Sequence, residues 1–170
     1  MSAVSDTGTD SGVNANPFAT AGTASPTGAV WVFTLQNQEF RRQTFIKLSD
    51  AFDSAIASSF GRQVSLNDSG NVLVVTANDR GTAVGINGDP NQSPSSFSNG
   101  AAHVFERRGT TWHELAYLKA PHGSFLTSAK IDGTGNTVTL GAWGDRSVAN
   151  GINEEQTDFS FGDAGSVFLY

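Results

Sequence analysis

The chain has 170 residues, of which 38% are hydrophobic, and a formal net charge of -6. This length is compatible with one domain, and the acidic balance argues against nucleic acid or an anionic membrane as a partner. The absence of cysteine excludes disulfides and thiolate metal sites. No apolar run reaches the roughly 20 residues that a membrane-spanning helix needs, and residues 1–14 lack the basic and apolar segments of a signal peptide.

The first 27 residues are rich in Gly, Ser, Thr and Asn and show no apolar periodicity, which is typical of disorder. They nevertheless contain a motif that returns twice, a Gly-Val-Asn or Gly-Ile-Asn triplet at 12–14, 85–87 and 151–153. A polar run follows each triplet and leads to a strand that starts with glycine, at positions 28, 100 and 165. The N-terminal stretch is therefore predicted to belong to an ordered repeat.

Residues 60–119 contain one complete repeat unit. Four short runs of β-branched and aromatic residues form two hairpins in this unit, joined by a long polar loop over 78–99. The same pattern gives two strands before Ser49 and three after Ser124, so nine antiparallel strands are predicted and no regular helix. The four central runs are 63–66, 72–75, 100–105 and 112–118.

A four-stranded unit repeated at this spacing is the signature of a β-propeller, whose blades bury their faces against one another. The spacing between the first two repeats exceeds the spacing between the last two, which predicts an insertion near residues 50–53. We predict an all-β fold with about two and a quarter repeats of an incomplete propeller. Residues 1–170 form a single segment with repeat parts 3–76, 77–141 and 142–170.

The motifs resemble the FG-GAP repeats of integrin-α-type β-propellers, particularly the bacterial type. Residues 60–61 are Phe-Gly and residues 141–142 are Gly-Ala, the two halves of that motif. Neither copy is complete, since residues 125–126 are Phe-Leu and residues 75–77 are Val-Thr-Ala. The resemblance implies a non-catalytic binding or adhesion module, extracellular or on the cell surface, that recognises a protein or a glycan.

In integrin-type propellers the first hairpin of a blade carries a calcium loop with three or more acidic oxygens. The resemblance places that loop at two polar turns of this chain, 67–71 and 132–136, and each turn holds one carboxylate, Asp68 and Asp132. Calcium takes about 6 to 8 oxygen ligands, several of them charged. Two interpretations therefore stay open, a calcium site at Asp68 and Asp132 or plain type I or I′ turns.

The long loop after the second strand lies on the ligand-facing side of integrin-like propellers. Loops of this length without structure of their own are often functional. The alternative is that their Asn and Asp side chains hydrogen-bond their own backbone in turns. The candidate ligand-binding residues are Asp79, Asn87, Asp89, Asp145, Asn153 and Glu155.

Aromatic residues recur at matching places in the repeats, with Phe33, Phe105 and Phe168 at one position and Phe40 and Trp112 at another. Such a pattern predicts core between packed blades. A glycan-binding platform would instead need these side chains to be exposed.

No nucleophile elbow, phosphate loop or repeated cluster of catalytic groups occurs in the sequence, so no enzyme activity is predicted. His103 and His113 lie in adjacent predicted strands, but without a third His or Cys a packed imidazole is favoured over a metal site. The alternatives are a structural spacer of a large surface protein and a fragment of a propeller hydrolase or lyase. The expected partners include further blades of the same protein and a second copy of the chain.

Overall fold

The computed structural model describes residues 1–3, 6–8, 10–18, 27–48, 59–79, 83–88, 99–120, 126–154, 156, 160, 162 and 164–170. These residues contain twelve β-strands and no helix, arranged in three antiparallel sheets that do not close, which confirms the all-β prediction. The strands are β1 (Ser2–Ala3), β2 (Gly12–Val13), β3 (Ala29–Gln36), β4 (Glu39–Lys47), β5 (Val64–Leu66), β6 (Val72–Asp79), β7 (Gly85–Ile86), β8 (Asn99–Arg108), β9 (Thr111–Lys119), β10 (Leu126–Ile131), β11 (Val138–Ala142) and β12 (Ser166–Leu169).

The central sheet has the strand order β5-β6-β8-β9-β7. Its first four strands are the four that the sequence predicts for the complete unit. The fifth, β7, comes from the polar loop between β6 and β8 and pairs with β9 through Gly85↔Lys119 and Ile86↔Leu118. The hairpin turn between β5 and β6 is closed by Asn67, whose side-chain Oδ1 accepts hydrogen bonds from the following backbone at 3.0 and 2.9 Å.

The N-terminal sheet, β1-β3-β4-β2, and the C-terminal sheet, β10-β11-β12, are incomplete copies of the central sheet. The β3–β4 hairpin has a bulge between Val32 and Phe33, and the β8–β9 hairpin has one between Val104 and Phe105. The two hairpins thus share a β-bulge at the same position of the repeat. All nine predicted strands are present among the described residues, and the three two-residue strands β1, β2 and β7 were not predicted.

The register corrects one predicted equivalence. Phe168 pairs with Leu140 of β11, as His103 pairs with Val75 of β6. Counting from Gly100 and Gly165, Phe168 therefore corresponds to His103. Tyr170, and not Phe168, corresponds to Phe33 and Phe105.

The three sheets pack face to face through two buried clusters. One face of the central sheet packs on the N-terminal sheet and the other face packs on the C-terminal sheet. The first cluster contains Val30, Ile46, Leu48, Phe60, Leu73, Val75, Ala77, Phe105 and Trp112. The second contains Val74, Ala102, Val104, Leu118, Ala120, Leu126, Ala129, Ile131, Val138, Leu140 and Ala142.

Glycine is required at the start of β3 and at the start of β8. Each of these starts lies against the residues that begin the sheet that follows in the chain. A Cβ atom on Gly28 would overlap the backbone of Phe60, and one on Gly100 would overlap the backbone of Leu126. Gly28 also has a φ of 80°, in the left-handed region. The predicted insertion at 50–53 lies outside the described residues.

Candidate functional site

A buried ion pair closes one end of the central sheet. Asp79 is the last residue of β6, Lys119 is the last residue of β9, and β8 lies between these strands. The Lys119 ammonium donates to Asp79 Oδ2 at 2.7 Å, and both side chains are buried. The Tyr117 hydroxyl donates to the same carboxylate oxygen. One carboxylate thus neutralises a buried cation and satisfies a buried phenol.

Burial controls the electrostatics of this cluster. It raises the pKa of Tyr117 far above its usual range, and the hydrogen bond and negative charge of Asp79 raise it further. Burial lowers the pKa of Lys119, while Asp79 opposes that shift. An ammonium in this place is tolerated because its counter-ion is in contact with it.

The N-terminal sheet contains the same arrangement. The Lys47 ammonium at the end of β4 donates to the carboxylate of Asp6 and to the Asp6 carbonyl oxygen, the latter at 3.0 Å. That carbonyl also accepts the backbone N–H groups of Thr27 and Gly28, at 3.0 and 3.3 Å. Asp6 therefore ties the beginning of its loop to residues 27 and 28 at the end of that loop, and also to β4.

The C-terminal sheet contains the aspartate without the lysine. The Asp145 carbonyl accepts the N–H groups of Ala164 and Gly165 at 2.8 and 3.1 Å, as Asp6 does with its own loop. Its carboxylate Oδ1 accepts the N–H of Ser147 at 2.8 Å. Its Oδ2 is buried and has no hydrogen-bond partner among the described residues.

Two of the triplet asparagines, Asn14 and Asn87, form left-handed turns beside β4 and β9. Asn87, with a φ of 55°, donates its N–H to the Tyr117 carbonyl at 2.7 Å, and its Oδ1 accepts the Tyr117 N–H at 3.0 Å. Asn14 donates in the same way to the Phe45 carbonyl at 2.7 Å. Asn153 has the same conformation, with a φ of 57°, and is exposed.

The candidate ligand-binding residues thus lie in different settings. Asp79, Asn87 and Asp145 hold the loops and strands together, and Asn153 is exposed. Among the four described ones, Asp79 and Asn87 adjoin strands of the central sheet, and Asp145 follows β11 of the C-terminal sheet. Asp89 and Glu155 lie outside the described residues. A ligand-binding role for the six residues stays a prediction, and for Asp79 it would require a buried ion pair to open.

The two candidate metal ligands lie in hairpin turns. Asp132 Oδ1 accepts the N–H groups of Asn136 and Thr137 at 2.8 and 3.0 Å, and Oδ2 accepts the Thr134 hydroxyl at 2.5 Å. The hydroxyl and backbone hydrogen bonds lower the pKa of Asp132 to about 2. The exposed Asp68 lies against Gly133 of that turn.

No group of three or more His, Asp or Glu side chains that could hold a metal ion occurs in the described part of the chain. The hydrogen bonds that Asp132 accepts from Thr134, Asn136 and Thr137 are those of a hairpin turn. Calcium binding at Asp68 and Asp132 stays a prediction.

The sequence interpretation missed the lysines. Lys47 and Lys119 each end an aromatic–aliphatic–lysine triplet at matching repeat positions, Phe-Ile-Lys at 45–47 and Tyr-Leu-Lys at 117–119. A lysine in an otherwise apolar strand end signals a buried counter-ion. The two histidines do not face each other, because His103 pairs with Tyr117 and His113 pairs with Glu106.

An aromatic face is exposed on the outer side of the N-terminal sheet. Phe33 is 39% exposed and Phe40 is 75% exposed, whereas their central-sheet counterparts Phe105 and Trp112 are 2% and 1% exposed. The prediction that these positions form core therefore holds in the central sheet and is wrong for Phe33 and Phe40. The N-terminal sheet covers the central positions, and no described sheet covers its own.

A groove of about 490 Å³ opens beside this face. It is lined mainly by apolar side chains, among them Trp31, Phe33, Phe40 and Leu66. The Arg42 guanidinium lies over the Trp31 ring, 5.5 Å from its centroid. The face therefore combines aromatic surface with one cation.

Comparisons with protein-family models, with curated proteins and with solved structures find no match to this chain. Among the described residues, no helix is long and apolar enough to cross a membrane.

Proposed function

We propose that this chain is part of an FG-GAP-like β-propeller and serves as a non-catalytic binding and adhesion module, extracellular or on the cell surface. The repeated four-strand unit, its shared bulge and the face-to-face packing of the sheets support the propeller assignment. The three sheets then correspond to one complete blade and parts of two others.

The exposed aromatic face of the N-terminal sheet is the observation that carries the binding role. Large apolar side chains that are uncovered together mark interaction surfaces. Leu35 pairs with Phe40 on the same hairpin and is also exposed. Aromatic rings beside an arginine suit the apolar surface of a protein or the faces of a sugar ring.

A protein partner fits this face best, because the equivalent face of the central sheet is buried by a protein sheet. The long loops with Asp89 and Glu155 contribute a second contact surface in this proposal. Calcium orders those loops if it binds, and a rise in the melting temperature in millimolar calcium relative to EDTA would reveal it.

An array of immobilised extracellular proteins and glycans, probed with the fluorescent 170-residue chain, tests the proposal. Saturable binding to an array component is expected, and Phe40→Ser should weaken it at least tenfold. Leu115→Ser is the matched control, since Leu115 is an exposed apolar residue of β9 and is not in the groove lining. Binding that both variants retain equally would remove the aromatic face from the proposal.

A structural spacer is the second candidate. It is favoured by the internal bonds of Asp79, Asn87 and Asp145, which give these loop residues a role in holding the sheets. A spacer predicts no saturable binding to any array component, and this outcome would replace the adhesion proposal.

A further inference from the structure

The dipeptide Asn-Gly occurs three times in the chain, at 87–88, 99–100 and 150–151. Asparagine is a chemically labile residue, and glycine after it removes an obstacle to reaction. Because glycine has no Cβ, its backbone nitrogen can approach the side-chain carbonyl carbon of the asparagine. The reaction also needs an asparagine whose side chain and backbone are free to turn toward that nitrogen. The three asparagines differ in this freedom.

Two of the three pairs are held by the central sheet. The Asn87 side chain is fixed, because its Oδ1 accepts the Tyr117 N–H at 3.0 Å while its own N–H donates to the Tyr117 carbonyl at 2.7 Å. Asn99 and Gly100 begin β8, where they pair with the last residues of β6, and Gly100 is buried. An extended backbone in a ladder does not have the rotation that closes a ring between the two residues. Both asparagines should therefore react slowly.

The third pair lies in the turn of residues 150–154, which we call the Asn150 turn. Asn150 and Gly151 are outside every described strand, and both are exposed. Within the described part of the chain, the only hydrogen bond of Asn150 is the one that its backbone N–H donates to Glu154 Oε2 at 3.1 Å. The same carboxylate lies over Gly151, where a Cβ atom would overlap Glu154 Oε1. The Asn150 side chain is thus free to turn.

The exposure of Asn150 belongs to its position in the repeat. Counting from the triplet glycine, Asn150 corresponds to Val84, which precedes Gly85. Val84 is 49% exposed although β7 is paired with β9 beside it. A side chain at this position therefore reaches solvent even in the sheet whose outer strand is paired.

We propose that Asn150 is a site of spontaneous deamidation, with water as the co-reactant. The Gly151 nitrogen forms a bond to Asn150 Cγ and loses its proton to solvent. The side-chain nitrogen takes up a proton and leaves as ammonia, which gives a succinimide ring. Water then adds to one of the two ring carbonyl carbons and opens the ring. The products are aspartate and isoaspartate, and the sum of the steps consumes one water and releases one ammonia.

The reaction changes both the charge and the length of the Asn150 turn. It creates a carboxylate in the residue whose N–H bonds to Glu154. Repulsion between the two carboxylates opposes that bond, and isoaspartate adds one methylene group to the backbone. The enzyme class that would act on the product is a carboxyl methyltransferase specific for isoaspartate. This inference does not depend on the proposed adhesion role.

The test incubates the folded full chain in mildly alkaline buffer and follows the three asparagines by peptide mapping with mass spectrometry. Asn150 should convert at least tenfold faster than Asn87 and Asn99 and should give both aspartate and isoaspartate. An isoaspartate methyltransferase with a labelled methyl donor should label the peptide that contains residue 150. Equal rates at the three asparagines, or an unaltered Asn150, would overturn the proposal.

Variants of the Asn150 turn separate the mechanism from general exposure. Asn150→Gln should abolish the methyl label, and Gly151→Ala should slow the reaction at least tenfold, because the added methyl group obstructs the attacking nitrogen. Asn153→Gln is the matched control, since Asn153 is exposed in the same turn but is followed by Glu154, and it should leave the label unchanged. A Gly151→Ala chain that reacts as fast as the unaltered chain would exclude attack by this nitrogen.

The same incubation in concentrated urea tests the part that the fold has in the selectivity. Unfolding releases Asn87 from Tyr117 and Asn99 from β6, so the three asparagines should then react at similar rates, each with glycine next to it. An advantage of Asn150 that is as large in urea as in the folded chain would show that the central sheet protects neither of the other two.

Discussion

At the scale of single residues, the aspartate that begins each long loop has a structural task. Asp79 balances a lysine and a tyrosine that burial would otherwise disfavour. Breaking such a pair by removing one partner leaves an uncompensated buried charge, which costs more than the loss of a surface ion pair. The cost of losing the lysine should therefore be large.

Lys119→Met removes the charge and keeps much of the side-chain volume. We expect it to lower the free energy of unfolding by about 3–5 kcal/mol, measured by urea denaturation. Arg41→Gln is the control, because its ion pair with Glu39 is exposed and should contribute less than about 1 kcal/mol. Equal losses in the two variants would contradict the assigned role of the buried pair.

Asp132 predicts a response to acid. Hydrogen bonds within the turn lower its pKa in the folded chain from 3.8 to about 2. Its stabilising effect is therefore fully present above pH 3.8 and is lost as the pH falls through about 2. Asn67 makes the equivalent two backbone bonds in the central sheet with an amide oxygen, so Asp132→Asn should keep the turn and remove this acid sensitivity. Melting temperatures between neutral pH and pH 2 check it, and an unchanged pH dependence in the variant would refute it.

At the scale of elements, the residue that follows β7, Asn87, holds this two-residue strand against β9. Asn87 makes two hydrogen bonds with the Tyr117 backbone and has a left-handed conformation. Alanine loses the side-chain bond and is strained at this φ, whereas glycine loses only the bond.

Asn87→Ala should therefore destabilise β7 more than Asn87→Gly, by about 1 kcal/mol. Hydrogen exchange at the amide of residue 87 measures the effect, because this N–H donates to the Tyr117 carbonyl at 2.7 Å and both variants keep it. Faster exchange in Asn87→Gly than in Asn87→Ala would show that the left-handed conformation does not limit the stability of the edge.

The longer strands were predictable from sequence because they contain runs of β-branched and aromatic residues between recognisable turns. β2 and β7 were not, since two residues carry no periodicity and their pairing depends on β4 and β9. The sequence singled out Asp79 and Asp145 as candidate site residues, but it did not predict that their side chains are buried. Asp79 faces inward because Lys119, forty positions later, ends β9 beside it. Sequence spacing gives no sign of which side of a strand end is covered.

At the scale of the whole molecule, the position of a sheet in the stack decides what an aromatic residue does. Trp112 and Phe40 occupy the same repeat position, seven residues before Lys119 and Lys47. Trp112 is buried between two sheets, and its indole N–H donates to Gln43 Oε1 at 2.9 Å. Phe40 lies on the outer face, where its ring packs in no described core cluster.

Trp112→Ala should thus lower the free energy of unfolding by about 3–5 kcal/mol, while Phe40→Ala should change it by no more than about 0.5 kcal/mol. Urea denaturation followed by far-ultraviolet circular dichroism gives both values and avoids a signal that depends on the deleted indole. The dependence of the unfolding free energy on urea should stay the same in both variants if the three sheets unfold together. A reduced dependence in Trp112→Ala alone would show that the N-terminal sheet separates first, because this side chain joins it to the central sheet. A large loss in Phe40→Ala would mean that the outer face is covered in solution by another chain, and its dependence on protein concentration would prove that coverage.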